Sequence, residues 1–414
     1  MIQRLKPKSE FSRNVLTLMT GTTIAQAIPI AITPFLTRIY TPEDFGAYGF
    51  FMAIVLILSI FATAKFEHAM FIVKKEKVTD LILKFTLLNS VIFSLFLLFF
   101  IAIFADKIVL YSQSFSIAVW YLIPFAVLIV ASYTVLRAWL NKQAEYGVIK
   151  SNLIKQSFTY SGLQILFGLI ESFRSLGLML GDILGKGLTT FLILKRLNFK
   201  KTRLTKKIYY YFWQKYRLIP YYQVPASLVN TGAMYLPMLF LPFIFSAPIS
   251  GAFFLVFKVI MAPISIIGNA FLDVFKKDAA DAIARQDECT KEFKKTFKIL
   301  SFIAIVIFLF FWFFSVLLFE FVFGDEWVEA GNIAASLALL AALRFLVAPL
   351  SYVVILREKF LLNLLMQLAL FLSVLSAMIL GWVYNDFYIF LNWYSYLSVL
   401  FYLLLLTISF KLAA

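Results

Sequence analysis

The sequence is poor in almost everything that soluble chemistry uses. It holds one cysteine (Cys289) and one histidine (His68) in 414 residues, and only 14% of its residues are charged. One cysteine excludes an internal disulfide framework, and one histidine excludes a histidine-based metal cluster. The motifs GxxxxGK[ST], GxSxG and HExxH are absent, so no Walker site, nucleophile elbow or zincin helix is expected. No catalytic residue, metal or cofactor is therefore assigned. What abounds is apolar: 62% of residues are hydrophobic and 18% aromatic, with 48 Phe, 20 Tyr and a mean hydropathy of +0.89. A soluble domain is about half apolar and about a quarter charged. No water-soluble core has room for so many rings, so most of the surface must face lipid. A secreted protein, a large cytosolic enzyme and a single-span anchor are all excluded.

Apolar runs fall at 15–36, 46–64, 81–104, 117–140, 152–170 and 175–195, then at 219–245, 250–272, 297–319, 331–355, 360–381 and 387–410. Twelve spans of about 20 residues each would leave room only for tails and short loops. The net charge of +16 resembles that of a nucleic-acid binder, but its distribution says otherwise. Thirty-two of the 38 Lys and Arg fall in the termini and alternate loops of one side, against three (Arg38, Lys107, Arg174) on the other. That is the positive-inside pattern, and it predicts both termini in the cytoplasm. The charge fixes topology, and no nucleic acid is expected as a partner. The basic head and Ala25-Gln26-Ala27 imitate a signal peptide, but the apolar run continues to Phe35, which favours a retained first span.

The six-gap-six layout points to two parallel repeats. Gly46-Ala47-Tyr48 opens the second span and Gly251-Ala252-Phe253 the eighth; Ser132–Arg137 closes the fourth and Ser351–Arg357 the tenth. The expected organisation is an N-terminal lobe (1–197), a basic cytoplasmic linker (198–217) and a C-terminal lobe (218–414). The fold class is all-α integral membrane, with twelve transmembrane helices in two six-helix lobes around a central cavity.

Polar residues recur at helical spacing on the first span of each half: Thr22, Gln26 and Thr33, then Gln223, Ser227, Asn230 and Tyr235. Such stripes line a cavity or glue helices together. Asn152, Gln156 and Thr159 on the fifth span carry the same two readings. A charge in the bilayer costs several kcal/mol, so ionisable residues inside spans are sharper markers. Arg344, about 20 Å into the tenth span, and Lys258, about 10 Å into the eighth, have no acid in their own spans. Asp182 and Lys186 stand at i and i+4 and can neutralise each other. Arg38, Lys65, Glu67 and His68 lie near span ends, where side chains also snorkel to the headgroups. The intramembrane set is mainly cationic, which suits an anionic ligand; a diphosphate would need paired cations.

Several segments resemble one family. They are Phe11–Leu18, then Gly21, Gln26 and Leu36-Thr37-Arg38-Ile39-Tyr40-Thr41-Pro42-Glu43-Asp44-Phe45-Gly46; Ala62–Glu67, where the family more often has Gly-Arg-Tyr-Glu; Trp139–Lys142; Pro220–Asn230; and Ala262–Gly268. In these the chain resembles the Wzx-type O-antigen flippases, of the polysaccharide-biosynthesis branch of the multidrug/oligosaccharidyl-lipid/polysaccharide exporters. The resemblance implies a MATE-like fold and a flippase, not an enzyme. Its cargo would be a polyprenyl-diphosphate-linked oligosaccharide (O-antigen or a related surface polysaccharide, with lipopolysaccharide biosynthesis the setting), carried to the periplasmic leaflet of the bacterial inner membrane by alternating access. It makes Arg38, Lys65, Lys258 and Arg344 the diphosphate candidates and Thr22, Gln26, Gln223, Ser227 and Asn230 the cavity-lining polar residues. Glu67, His68 and Asp182 are the candidates for ion coupling. Membrane lipids, a polysaccharide polymerase and a chain-length regulator are the expected partners. The rival functions are an O-antigen polymerase, which would want a large external loop that is not seen, and a cation-coupled multidrug exporter, which would want an acidic or aromatic cavity.

Overall fold

The computed structural model describes residues 10–111, 115–196 and 204–414, and among these every regular element is a helix. All twelve apolar runs fall on helices: α1 (Glu10–Ile39), α2 (Pro42–Thr63), α3 (Glu76–Ile103), α4 (Ile117–Lys142), α5 (Tyr146–Leu169) and α6 (Arg174–Arg196). A short amphipathic α7 (Lys206–Lys215) precedes α8 (Leu218–Ile244), α9 (Ala247–Val256), α10 (Ala262–Gln286) and α11 (Thr290–Phe323). The chain ends in α12 (Val328–Ser336), α13 (Ala338–Leu350), α14 (Phe360–Tyr384) and α15 (Phe387–Ala413). Ten stretches among the described residues are long and apolar enough to cross a membrane. The 30-residue α1 and the 24-residue α5 have the length but are more polar and fall outside those ten. The protein is a multi-pass membrane protein.

The tenth run, expected as one helix, breaks at Leu337 into α12 and α13, which puts Arg344 about two turns into α13. The eighth run extends as one stretch from Ala247 to Gln286, with a π-helical turn at Phe257–Met261 joining α9 to α10. Pro263 explains the irregularity, since it has no N–H to give the carbonyl four residues back.

The chain forms two compact units, one of Phe51–Leu228 with the chain up to Tyr40, the other of Thr41–Phe50 with Val229–Ala414. In the first unit, buried Phe66, Phe85, Leu136, Ile149 and Phe212 form a core shared by α3 to α7 and the turn after α2. The α5–α6 pair is held close by glycine. A Cβ on Gly181 would strike Gln164, and one on Gly185 would strike the Tyr160 backbone, so the Gly177-x3-Gly181-x3-Gly185 stripe lets the helices touch.

In the second unit the Gly46 and Gly251 motifs meet. Thr41 and Asp44 cap α2 reciprocally: the Thr41 N–H donates to Asp44 Oδ2 (3.1 Å) and the Asp44 N–H to Thr41 Oγ1 (3.3 Å), with Pro42 starting the helix. Ser246 caps α9, its Oγ accepting from the Ile249 N–H at 3.4 Å. Gly46 stands five residues after its cap, as Gly251 does after its own. A Cβ on Gly46 would strike the Ala247 carbonyl, and one on Gly251 the Pro42 carbonyl. The two helix starts therefore cross backbone to backbone. An arginine joint also ties this unit together. Arg357 donates to Asp287 Oδ1 (2.7 Å), to the Asp287 carbonyl (2.6 Å) and to the Leu412 carbonyl (2.9 Å), while the Cys289 N–H donates to the Ala413 carbonyl (2.8 Å).

Candidate functional site

The charged candidates divide between the units: Arg38 and Lys65 belong to the first, Lys258 and Arg344 to the second. Their surroundings differ in kind.

In the first unit, buried Asp182 and half-buried Lys186 sit on one face of α6, Nζ to carboxylate 2.8 Å, and neutralise each other. Around them α5 contributes polar groups that tie the helices together. Asn152 Nδ2 donates to the Thr189 carbonyl (3.2 Å), Gln156 Nε2 to Thr189 Oγ1 (3.3 Å) and Gln164 Nε2 to the Leu178 carbonyl (3.0 Å). Of the two readings of the fifth-span stripe, this geometry is the helix-gluing one. On α1, Thr33 is buried and returns its hydroxyl to the Pro29 carbonyl at 2.6 Å, whereas Gln26 is exposed and Thr22 half-buried.

Lys65 occupies an unusual backbone. Ala64 and Lys65 both have positive φ (47° and 59°), a left-handed pair of non-glycine residues in the turn after α2. The turn is tied by the Lys65 N–H to Thr63 Oγ1 (3.1 Å) and by the His68 N–H to the Lys65 carbonyl (3.1 Å). Where the resembled family more often has glycine, this chain carries Ala64 and its Cβ. Beyond the turn, Glu67 is 5% exposed and its Oε2 has no hydrogen-bond partner among the described residues, while His68 is exposed. Arg38, at the end of α1, is exposed.

In the second unit, Lys258 lies in the π-helical turn, its ammonium 5.8 Å from the centre of the Phe45 ring. Arg344 is half-buried on α13, and among the described residues its guanidinium donates to the Met261 thioether (Nη1 to Sδ 3.8 Å). No carboxylate pairs with it among the described residues. A thioether is a weak acceptor and leaves the charge uncompensated. It opens instead onto two cavities. One, of about 70 Å³, is shared with Asn230, Phe257, Tyr394, Ser398 and Tyr402; the other, of about 300 Å³, is shared with Ser265, Asn269 and Pro349. Arg344 is common to both.

Of the polar residues expected on the seventh span, Asn230 reaches the Arg344 cavity. Gln223 is exposed and Ser227 half-buried, and both belong to the first unit. Tyr394, Ser398 and Tyr402 were not singled out from the sequence, although they recur every four residues along the last span, the spacing of one helix face. Tyrosine in a membrane helix ordinarily marks the headgroup belt, which masks such a signal. The arrangement as a whole is a guanidinium with no carboxylate partner among the described residues and with hydroxyl and amide groups around it, the chemistry that suits an anion.

The family described as "Polysaccharide biosynthesis protein" matches residues 35–332, well over half of the chain. The chain belongs to this family. The match spans the turn that carries Lys65, the π-helical turn and the Gly46 and Gly251 crossing. No curated protein matches the sequence closely enough to count as a relative. Among solved structures, the fold of this polysaccharide biosynthesis protein is similar to that of the lipid II flippase MurJ in an inward closed conformation, with a TM-score of 0.76 at 13% identity over 96% of this chain and 90% of that one. It is also similar to an inward-facing multidrug resistance MATE family transporter of the MOP superfamily (TM-score 0.64, 13% identity, 95% and 93% covered). A third likeness is to a MOP superfamily transporter from Pyrococcus furiosus, described as having a binding pocket of reverse polarity (TM-score 0.58, 13% identity, 96% and 94% covered). The fold is thus MurJ-like and MATE-like, and its neighbours are transporters and flippases.

Proposed function

We propose that this polysaccharide biosynthesis protein is a flippase for polyprenyl-diphosphate-linked oligosaccharide repeat units of O-antigen or a related surface polysaccharide. It takes them from the cytoplasmic to the periplasmic leaflet of the inner membrane by alternating access. The observation that carries the reading is Arg344, a membrane-span guanidinium with no carboxylate partner among the described residues, facing cavities lined by hydrogen-bond donors. Such a charge is costly unless an anion arrives to meet it. The family supplies the class of cargo, and the positive-inside bias supplies the orientation, with both termini cytoplasmic.

In this reading α1 and α5 cross the membrane as well, making twelve spans in two six-helix lobes (1–197 and 218–414). Lys258, Arg38 and Lys65 join Arg344 in handling the diphosphate during the cycle, and Thr22, Gln26, Gln223, Ser227 and Asn230 meet the sugar. Glu67, with a buried and unpartnered carboxylate oxygen, is the preferred coupling group over Asp182, which is committed to Lys186. A polymerase and a chain-length regulator would take the product.

The test is deletion of the gene in a glycan-producing bacterium, followed by locating the lipid-linked repeat units. Units held on the cytoplasmic leaflet are expected. Single units reaching the outside, with only long chains missing, would mean a polymerase and overturn the reading.

A further inference from the structure

The α7 helix has two faces that do different work. Its inner face completes the core of the first unit: Phe212 is buried, the Tyr209 hydroxyl donates to Asn89 Oδ1 at 2.6 Å, and the Trp213 ring stands 4.8 Å from that of Phe66, the residue after Lys65. Its outer face is left open among the described residues. Tyr210 and Tyr211 are 60% and 52% exposed, and at the start of α8 Tyr221 and Tyr222 are 70% and 63% exposed. Exposed Lys206, Lys207, Lys215 and Arg217 are interleaved with these rings, and Lys215 lies over the Tyr211 ring at 5.3 Å. No acidic residue occurs between Asp182 and Asp273 to balance them.

Tyrosine mixed with lysine on a helix is what the membrane interface selects, because the ring sits at headgroup level while the cation meets phosphate. Clustered basic residues beside a span attract anionic lipid. We infer that α7 and the first turns of α8 form a binding surface for anionic phospholipid, with Lys206, Lys207, Lys215 and Arg217 taking the headgroup phosphodiester and the four tyrosines seating it. Through Trp213 on Phe66 and Tyr209 on Asn89, the bound lipid steadies the turn that presents Lys65. The inference stands apart from the identity of the transported cargo.

The test uses the full-length protein in a non-ionic detergent, following thermal unfolding with added phosphatidylglycerol, phosphatidylcholine or inorganic pyrophosphate. Phosphatidylglycerol should raise the midpoint saturably, and the other two should not. The variant Lys206→Gln/Lys207→Gln/Lys215→Gln/Arg217→Gln should weaken the apparent affinity by at least about tenfold. Neutralising four exposed lysines elsewhere (Lys277, Lys291, Lys295 and Lys298, each to Gln) should leave it in place. The inference is overturned if the α7 variant keeps the full shift, if phosphatidylcholine matches phosphatidylglycerol, or if pyrophosphate reproduces the effect and so marks a free-phosphate site. Should the α7 variant not fold, Tyr210 replaced by photoreactive benzoylphenylalanine decides the matter. It should cross-link phosphatidylglycerol in native membranes, and cross-linking to no lipid overturns the inference.

Discussion

The two units handle intramembrane charge in opposite ways. In the first, Asp182 and Lys186 meet at 2.8 Å on a helix packed by glycine against its neighbour, and the amide nitrogens of Asn152, Gln156 and Gln164 join α5 to α6. In the second, Arg344 faces two cavities with a thioether as its recorded acceptor. A charge that brings its own counter-charge suits architecture, whereas a charge left open suits the receptor role proposed for Arg344. The second unit contains its own control, because Arg357 is satisfied by a carboxylate and two carbonyls.

The contrast can be broken deliberately. Asp182→Asn should have the largest effect, about 3–5 kcal/mol of destabilisation, because it leaves Lys186 charged and unpaired. The double variant Asp182→Leu/Lys186→Met should recover most of that loss and still transport, since a well-packed apolar pair replaces a buried ion pair at little cost. Thermal unfolding together with a complementation assay reads both. A double variant that is stable but inactive would move Asp182 from architecture to coupling.

Arg344→Ala should do the reverse, leaving the unfolding midpoint near that of the wild type and weakening cargo handling by at least about thirtyfold. Arg344→Lys should recover only part, because an ammonium keeps the charge without the fork. Arg357→Ala should cost about 1–3 kcal/mol through loss of charge-assisted hydrogen bonds. It should also unmask Cys289, which is buried beside the joint, its burial pushing the thiol above the ordinary value. As the chain has a single cysteine, maleimide labelling reports this joint alone: slow in the wild type, faster in the variant. The smallest effect is expected from Ala64→Gly, which relieves a Cβ at positive φ and should stabilise the turn by up to about 1 kcal/mol.

Much of this architecture was legible before any coordinates. Lipid as solvent writes spans as long apolar runs, and all twelve runs fall on helices. The Gly46 and Gly251 likeness noted between the halves proved to be a physical crossing. The site was legible only in its charge. Arg344 announces itself because no acid shares its span, yet its companions Tyr394, Ser398 and Tyr402 look like ordinary membrane-helix residues. The π-helical turn around Lys258 comes from a missing donor at Pro263, which many membrane helices also carry. At Ala64 the sequence gives no warning, because alanine does not advertise a left-handed backbone. The Gly177-x3-Gly181-x3-Gly185 spacing was plain in the sequence, but its meaning needed the partner helix.

The account turns on whether Arg344 handles the cargo. The most direct measurement reconstitutes the protein in vesicles with lipid-linked repeat units and follows their exposure to a membrane-impermeant glycosidase. Wild type and Asp182→Leu/Lys186→Met should expose the glycan, and Arg344→Ala at equal protein content should not. Exposure by Arg344→Ala at the wild-type rate would contradict the account.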